Sequence, residues 1–326
     1  MTKAQTGNRI SVALLATLLG AHAYGQRGES YPTKAVRLIV PFATGGGTDM
    51  IARSLAQKLS EAFGQSVVVD NRAGGGGTIG HETVVRAAPD GYTMALTSAS
   101  YATNPALFKL PYDPVKDITA ISLIGESGWM ISLHPSVPAK STAELIALAK
   151  AKPGALNYAS TGTGGVTHLV TELFNLMAGT QMAHIPYKGT GAALNDLLGG
   201  QVQLIFGGIA PLVQFHKAGR IRGLAVTTIK RNIALPDVPT IAETLTGYEA
   251  ILWYGCFGPK NLPKNIASLW NTEIEKALST AAMQERLASE GLDVVGGPPG
   301  RFHQVVSRDV PKWISVVNAA KIKTIQ

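Results

Sequence analysis

A single cysteine, Cys256, excludes an internal disulfide. Its setting, Trp253-Tyr254-Gly255-Cys256-Phe257, reads as a buried strand carrying an inert thiol, since free cysteine behaves as a small hydrophobe. Charged residues make up 15% and aromatics 6% of the 326 residues. The basic residues are scattered and no nucleic-acid motif stands among them, so no nucleic-acid partner is expected. No apolar run reaches the roughly 20 residues that a membrane-spanning helix needs. No repeat or low-complexity tract occurs, which leaves a globular chain rich in turns, with 36 Gly and 18 Pro.

Several chemistries are missing as well. The run Gly45-Gly46-Gly47-Thr48-Asp49 has no lysine to steady phosphates, so a P-loop NTPase is excluded. Gly125-Glu126-Ser127-Gly128 has the wrong spacing for a nucleophile elbow, which argues against a hydrolase. Among His81, His134, His168, His184, His216 and His303 there is no H-E-x-x-H and no short-range pairing of the kind a metal needs, so neither a metal site nor another cofactor is expected. Gly75, Gly77 and Gly80 satisfy a dinucleotide spacing, but four consecutive glycines match many patterns and no acid stands where a ribose partner belongs.

What is present centres on Pro41-Phe42-Ala43-Thr44-Gly45-Gly46-Gly47-Thr48-Asp49. Val36, Leu38, Ile39 and Val40 before it form a short strand that ends at Pro41, which cannot donate to a ladder. Ile51, Leu55, Leu59 and Phe63 after it recur every four residues, as on one face of a helix that Thr48 or Asp49 can cap. Unpaired N–H groups at a helix start, next to glycines that let a ligand touch the backbone, make a seat for a carboxylate or a phosphate. Taken alone, the elbow reads equally well as a bare turn.

Strand, loop and helix then alternate. Val67–Asp70 leads to a glycine loop at 74–77, and Tyr92–Thr97 ends at the small polar Ser98 and Ser100, where strands of an open α/β sheet line a crevice. Ile118–Ile124 is strand-like, and Ser141-Thr142-Ala143-Glu144 is a capping box that opens a helix through Lys150. Asn157 to Ser160 with Thr161-Gly162-Thr163-Gly164-Gly165-Val166-Thr167-His168 repeats the strand, glycine loop and helix, the helix carrying Leu169, Leu173, Phe174 and Met177. Two such elbows, far apart in sequence, predict two domains that present helix starts across a cleft. His168 and Tyr187 each follow a loop that should face it. A helix on Ala192 to Leu198 follows, then strands at Val202–Phe206, stopping at Gly207-Gly208, and at Ile221–Val226. Leu252–Gly255 reads as a strand returning to the first domain, completed by helices at Ile266–Leu278 and Arg301–Val317.

At the N-terminus, Lys3 and Arg9 precede an uncharged, largely apolar run at 10–19, and Ala21-His22-Ala23 offers small residues for cleavage. This order predicts a secretory signal peptide over residues 1–23 and a periplasmic protein. Its removal takes two positive charges from the formal +8 and leaves +6, which favours anionic partners weakly.

The chain resembles the Bug family, periplasmic solute receptors of tripartite tricarboxylate transporters. The matching pieces are Val40-Pro41-Phe42 with Gly45-Gly46 and Asp49, Asn71-Arg72 with Gly74 to Gly77 and Ile79-Gly80, and Asn157 to Ser160 with Gly162 and Gly164. His168-Leu169, Pro186-Tyr187-Lys188-Gly189 and Leu235-Pro236-Asp237-Val238-Pro239-Thr240 extend the match over nearly the whole mature chain. The resemblance implies an α/β, two-lobed periplasmic binding protein (type II, Venus-flytrap), each lobe a sheet flanked by helices, with lobe 1 at 27–128 and 250–326 and lobe 2 at 129–249. It also implies a monomer that closes on a small organic carboxylate and delivers it to membrane permease subunits without chemistry. The rival readings are a secreted α/β enzyme using the same cleft and the ligand-binding part of a sensing system. The ligand-binding residues the resemblance implies are Phe42, Ala43, Gly47, Thr48 and Asp49 of the first elbow, Gly76, Ser98 and the second-elbow residues Thr161, Gly162, Thr163, Gly165 and Thr167; Tyr187, after a loop facing the cleft, and Gly207 are expected to join them. Many members of the family carry an Asp where Gly207 stands, so its absence is expected to favour dicarboxylates over amino acids.

Overall fold

The computed structural model describes residue 2, residues 31–289 and residues 291–324; the expected signal peptide, Thr2 apart, lies outside the described residues. In chain order the first elements are β1 (Val36–Val40), α1 (Gly47–Phe63), β2 (Val67–Asn71), α2 (Thr78–Val85), β3 (Thr93–Ser98), α3 (Ser100–Leu107) and β4 (Ile118–Ser127). The chain then crosses into β5 (Trp129–Leu133), α4 (Thr142–Ala151), β6 (Asn157–Ser160), α5 (Val166–Ala178), β7 (Ala183–Pro186), α6 (Thr190–Leu198), β8 (Leu204–Gly208), α7 (Ile209–Lys217) and β9 (Arg222–Val226). It returns through β10 (Leu252–Pro259), α8 (Lys264–Leu278), α9 (Ala281–Ser289), β11 (Asp293–Val294) and α10 (Pro299–Ala319).

These strands make two mixed sheets, ordered β11-β4-β10-β3-β1-β2 and β7-β6-β8-β5-β9. They follow one plan. In the first, β1 pairs in parallel with β2 on one side and β3 on the other, and β10 runs antiparallel between β3 and β4. In the second, β6 pairs in parallel with β7 and β8, and β5 runs antiparallel between β8 and β9. The strand inserted in each sheet therefore comes from the chain as it crosses between them. Because the order reverses on either side of β1 and of β6, the loops leaving these two strands open a crevice at a topological switch point. The elbows at 41–46 and 161–165 stand at equivalent places.

Three apolar clusters hold the layers. Leu38, Val40, Ile51, Leu55 and Leu59 of β1 and α1 pack with Trp270 and Ile274 of α8, and Met130, Ala159, Ile205 and Leu212 pack on the α6–α7 side of the second sheet. A third cluster runs through both sheets, from Ala95, Tyr101 and Phe257 to Phe174 and Phe206, with Trp313 of α10 in it. α10 packs on α3, on β4 and on α5, so one helix is shared by both halves. The crossings meet at Thr227, which is fully buried. Its Oγ1 accepts the Trp129 N–H at 2.8 Å and donates to the Ala250 carbonyl at 2.8 Å.

Local differences from the sequence reading have local causes. α1 is capped by Gly46, with no side-chain cap; Thr48 and Asp49 fall inside the helix. The Ser141 cap accepts the Glu144 N–H at 3.2 Å, but Glu144 reaches back to the Lys140 N–H, one residue before the cap. β8 continues through Gly207 and Gly208 because β5 pairs with both. Met177 is partly exposed while Leu169, Leu173 and Phe174 are buried.

Candidate functional site

A cavity of roughly 510 Å³ opens between the two sheets. From the first half it takes Phe42, after β1, and Gly76, before α2, together with Ser100, Thr103, Asn104, Leu107 and Phe108 along and just beyond α3. From the second half it takes Thr161 to Val166, the elbow that starts α5. None of these side chains carries a charge. A ligand's negative groups therefore face backbone amides and neutral side chains, with the unpaired N–H groups and positive dipole end of α5 as the strongest attraction.

Side chains beneath the second elbow fix its backbone. Thr167 Oγ1 accepts the Thr161 N–H at 2.9 Å and pairs with Thr161 Oγ1 at 3.0 Å. Ser160 Oγ accepts the Gly162 N–H at 3.1 Å and meets His184 Nε2 at 2.6 Å. His168 Nδ1 accepts the Gly164 N–H at 3.0 Å, which requires that nitrogen to be unprotonated. The His168 and His184 rings stack at 3.8 Å with 6° between their planes, and Tyr158 stacks on His184 at 5.0 Å. Burial, then the neighbouring His184, lowers the His168 pKa to about 4, and burial lowers that of His184. Thr167→Val keeps the shape but strands the Thr161 N–H, a loss of about 1–2 kcal/mol. Ligand affinity is therefore expected to fall about tenfold with a small change in melting temperature; an unchanged Kd by calorimetry would show that Thr167 does not set the elbow.

The first elbow is tied from below by an acid. Asp49 is 3% exposed; it accepts the Gly45 N–H at 2.9 Å, Arg53 Nε at 2.9 Å and Asn71 Nδ2 at 3.0 Å. Asn71 Nδ2 also donates to the Phe42 carbonyl at 3.0 Å. Burial pushes the Asp49 carboxyl up, but the donors from Arg53, Gly45 and Asn71 together outweigh it and hold the group below the ordinary carboxylate range. The next loop is a run of four glycines, Gly74 to Gly77, all at positive φ, a path that other residues take only under strain. A Cβ on Gly76 would lie 3.2 Å from the Phe108 ring.

The structure thus brings Phe42, Gly76, Thr161, Gly162, Thr163 and Gly165 to one cavity. Ala43 and Gly47 are exposed on the first elbow, and Thr48 and Asp49 are buried under it. Ser98 stands one step behind the wall, its Oγ 3.2 Å from that of Ser100. Thr167 supports the elbow, and the Tyr187 phenol donates to Asp196 at 2.6 Å. Gly207 is absent from the lining: it is buried, and a Cβ there would fall 2.4 Å from Leu212 Cδ1. An aspartate at 207 would be forced into the core beside α7, so Gly207→Asp is expected to cost stability rather than to retune selectivity. The lining residues that sequence reasoning missed are Thr103, Asn104 and Leu107 of α3 and Phe108 just beyond it, where Pro105 interrupts the helical pattern.

The chain is similar to known proteins in sequence and in fold. The sequence model of the tripartite tricarboxylate transporter family receptor matches residues 51–322. Protein BugT of Bordetella pertussis is 36% identical over 303 residues, spanning 90% of this chain and 92% of that protein. Among solved structures, an R. palustris protein with adipate has a TM-score of 0.77 and 36% identity, covering 90% of this chain and 100% of that one. MatC from Rhodopseudomonas palustris with bound malate has a TM-score of 0.74 and 31% identity, covering 88% and 100%.

Proposed function

The chain belongs to the tripartite tricarboxylate transporter receptor family, and from that premise we propose that it is a periplasmic receptor that captures a small dicarboxylate and hands it unchanged to membrane permease subunits. The observation that carries this reading is the uncharged cavity between two sheets of one plan, with the amino end of α5 opening into it. Adipate and malate, bound by relatives of similar fold, fit a site that offers amides at its ends. Closure would turn on the crossing strands at Gly128, Thr227 and Ala250, the lobes changing partner beyond β4 and β9, with the protein acting as a monomer.

The enzyme reading needs a positioned acid, base or nucleophile. The side chains on the cavity that could act are the hydroxyls of Ser100, Thr103, Thr161 and Thr163, and among the described residues no titratable group lines the cavity beside them, which supports binding over turnover. A thermal-shift screen of mono-, di- and tricarboxylates tests the proposal. A dicarboxylate at 100 times its Kd should stabilise the protein by about 2.7 kcal/mol and be recovered intact by mass spectrometry. Conversion of the bound acid, or a panel with no shift, would end it.

A further inference from the structure

The cavity wall opposite the second elbow is the end of α3, and its chemistry is divided. Leu107 is 3% exposed and lies against Gly164 across the cleft, where a Cβ would be 3.2 Å from Leu107 Cδ2. Phe108 covers Gly76 from the other side, and Phe42 and Val166 add to the same apolar stretch. The polar groups along this wall are already engaged with the protein. Thr103 donates to the Ser100 carbonyl at 3.0 Å, and Ser100 pairs with Ser98. Asn104 sends its amide hydrogens to the Gly76 carbonyl at 3.3 Å and to His81 Nδ1 at 3.4 Å. His81 is itself fully buried and held to Thr97 at 2.7 Å, so Asn104 cannot turn to serve a ligand without stranding that ring.

We propose that this site, read as the receptor cleft above, selects carboxylates with a hydrocarbon or aromatic body over carboxylates that carry hydroxyls along the body. Charge is met by the unpaired N–H groups at the start of α5, while the middle of the ligand passes Leu107, Phe108 and Phe42. A hydroxyl buried there gives up its water and finds on the α3 wall no amide donor left over and, as acceptors, only the Asn104 carbonyl and the Ser100 and Thr103 oxygens already shared within the protein, so each added hydroxyl weakens binding. Leu107 and Phe108 are the specificity-determining residues.

Calorimetry with adipate and galactarate, equal in carbon chain and charge but differing by four hydroxyls, reads this directly. The expected result is a Kd at least tenfold lower for adipate, a ratio that Phe108→Leu keeps and Phe108→Asn narrows severalfold. If Phe108→Asn does not fold, Phe42→Asn probes the same stretch from the other side and should narrow the ratio too. Galactarate binding as tightly as adipate would overturn the selection and leave the receptor reading standing. A preference for adipate that neither asparagine variant alters would remove α3 as its source. Binding of neither acid, with no thermal shift from any other carboxylate, would overturn both readings.

Discussion

An Asp49→Ala variant is expected to lose about 3 kcal/mol of stability and to bind ligand at least tenfold more weakly. The first figure follows from three hydrogen bonds to Gly45, Arg53 and Asn71, each worth about 1 kcal/mol. The exposed Arg53 can turn to water, so its share is the smallest, whereas the Gly45 N–H and the Asn71 amide lose a partner fixed by the fold. The loss of binding is indirect. Asp49 is buried beneath the first elbow and does not line the cavity, but it fixes Asn71, which in turn holds the carbonyl of Phe42 at the cavity edge. Asp49→Asn keeps an acceptor and should fall between the two proteins in both respects. Urea unfolding beside calorimetry decides the matter: a variant that melts like the parent yet fails to bind would mean that the carboxylate touches the ligand, and this structural role would be wrong.

The alternation of strands and helices was legible because β1, β3, β4 and β10 are rich in apolar or β-branched residues and stop at or just before Pro41, Ser98, Ser127 and Pro259. Both elbows were legible for the same reason, and the equal placement of β1 and β6 explains why two glycine-rich loops recur. β5 escaped notice because the apolar run of β4 stops at Ile124 although the strand continues through Ser127, and Trp129–Leu133 follows after only Gly128 in the other sheet. α3 was hidden by Pro105, which an eight-residue helix tolerates near its end. The histidine pair could not be read from spacing at all. It arises because parallel pairing sets Tyr158 beside His184, while His168 arrives from the first turn of α5. For Gly207, the Asp that many members of the resembled family carry there suggested the cleft, but strand alternation sends its side-chain direction to Leu212 on the α7 side.

Stability is expected to fall steeply between pH 7 and pH 4, and neutral buried histidines are the cause. Burial lowers the His81 pKa to about 3; His168 is lowered to about 4, and His184 is lowered as well. In the unfolded chain each returns to an ordinary value near 6.5. Below that value the unfolded state binds more protons than the folded one, so stability drops as the pH falls, by up to about 1.4 kcal/mol per pH unit for each histidine. The loss from His168 begins near pH 6.5 and levels off near its folded pKa, amounting to about 3 kcal/mol, and His81 adds a loss of similar size over the same range. Carboxylates held low, such as Asp49 and Glu243, lose their contribution only as the pH drops below the ordinary carboxylate range and so act later in the same direction. Together the histidines remove on the order of 6 kcal/mol by pH 4, comparable to the whole stability of many domains. Binding by the folded protein should hold until the pH nears the His168 value of about 4, where a proton on His168 Nδ1 displaces the Gly164 N–H from the elbow. Urea midpoints at pH 7, 6, 5 and 4.5, for the parent and for His168→Gln, measure this. The variant should show a slope shallower by about one proton, and a parent whose stability is flat from pH 7 to pH 5 would show that these rings are not held neutral by the fold.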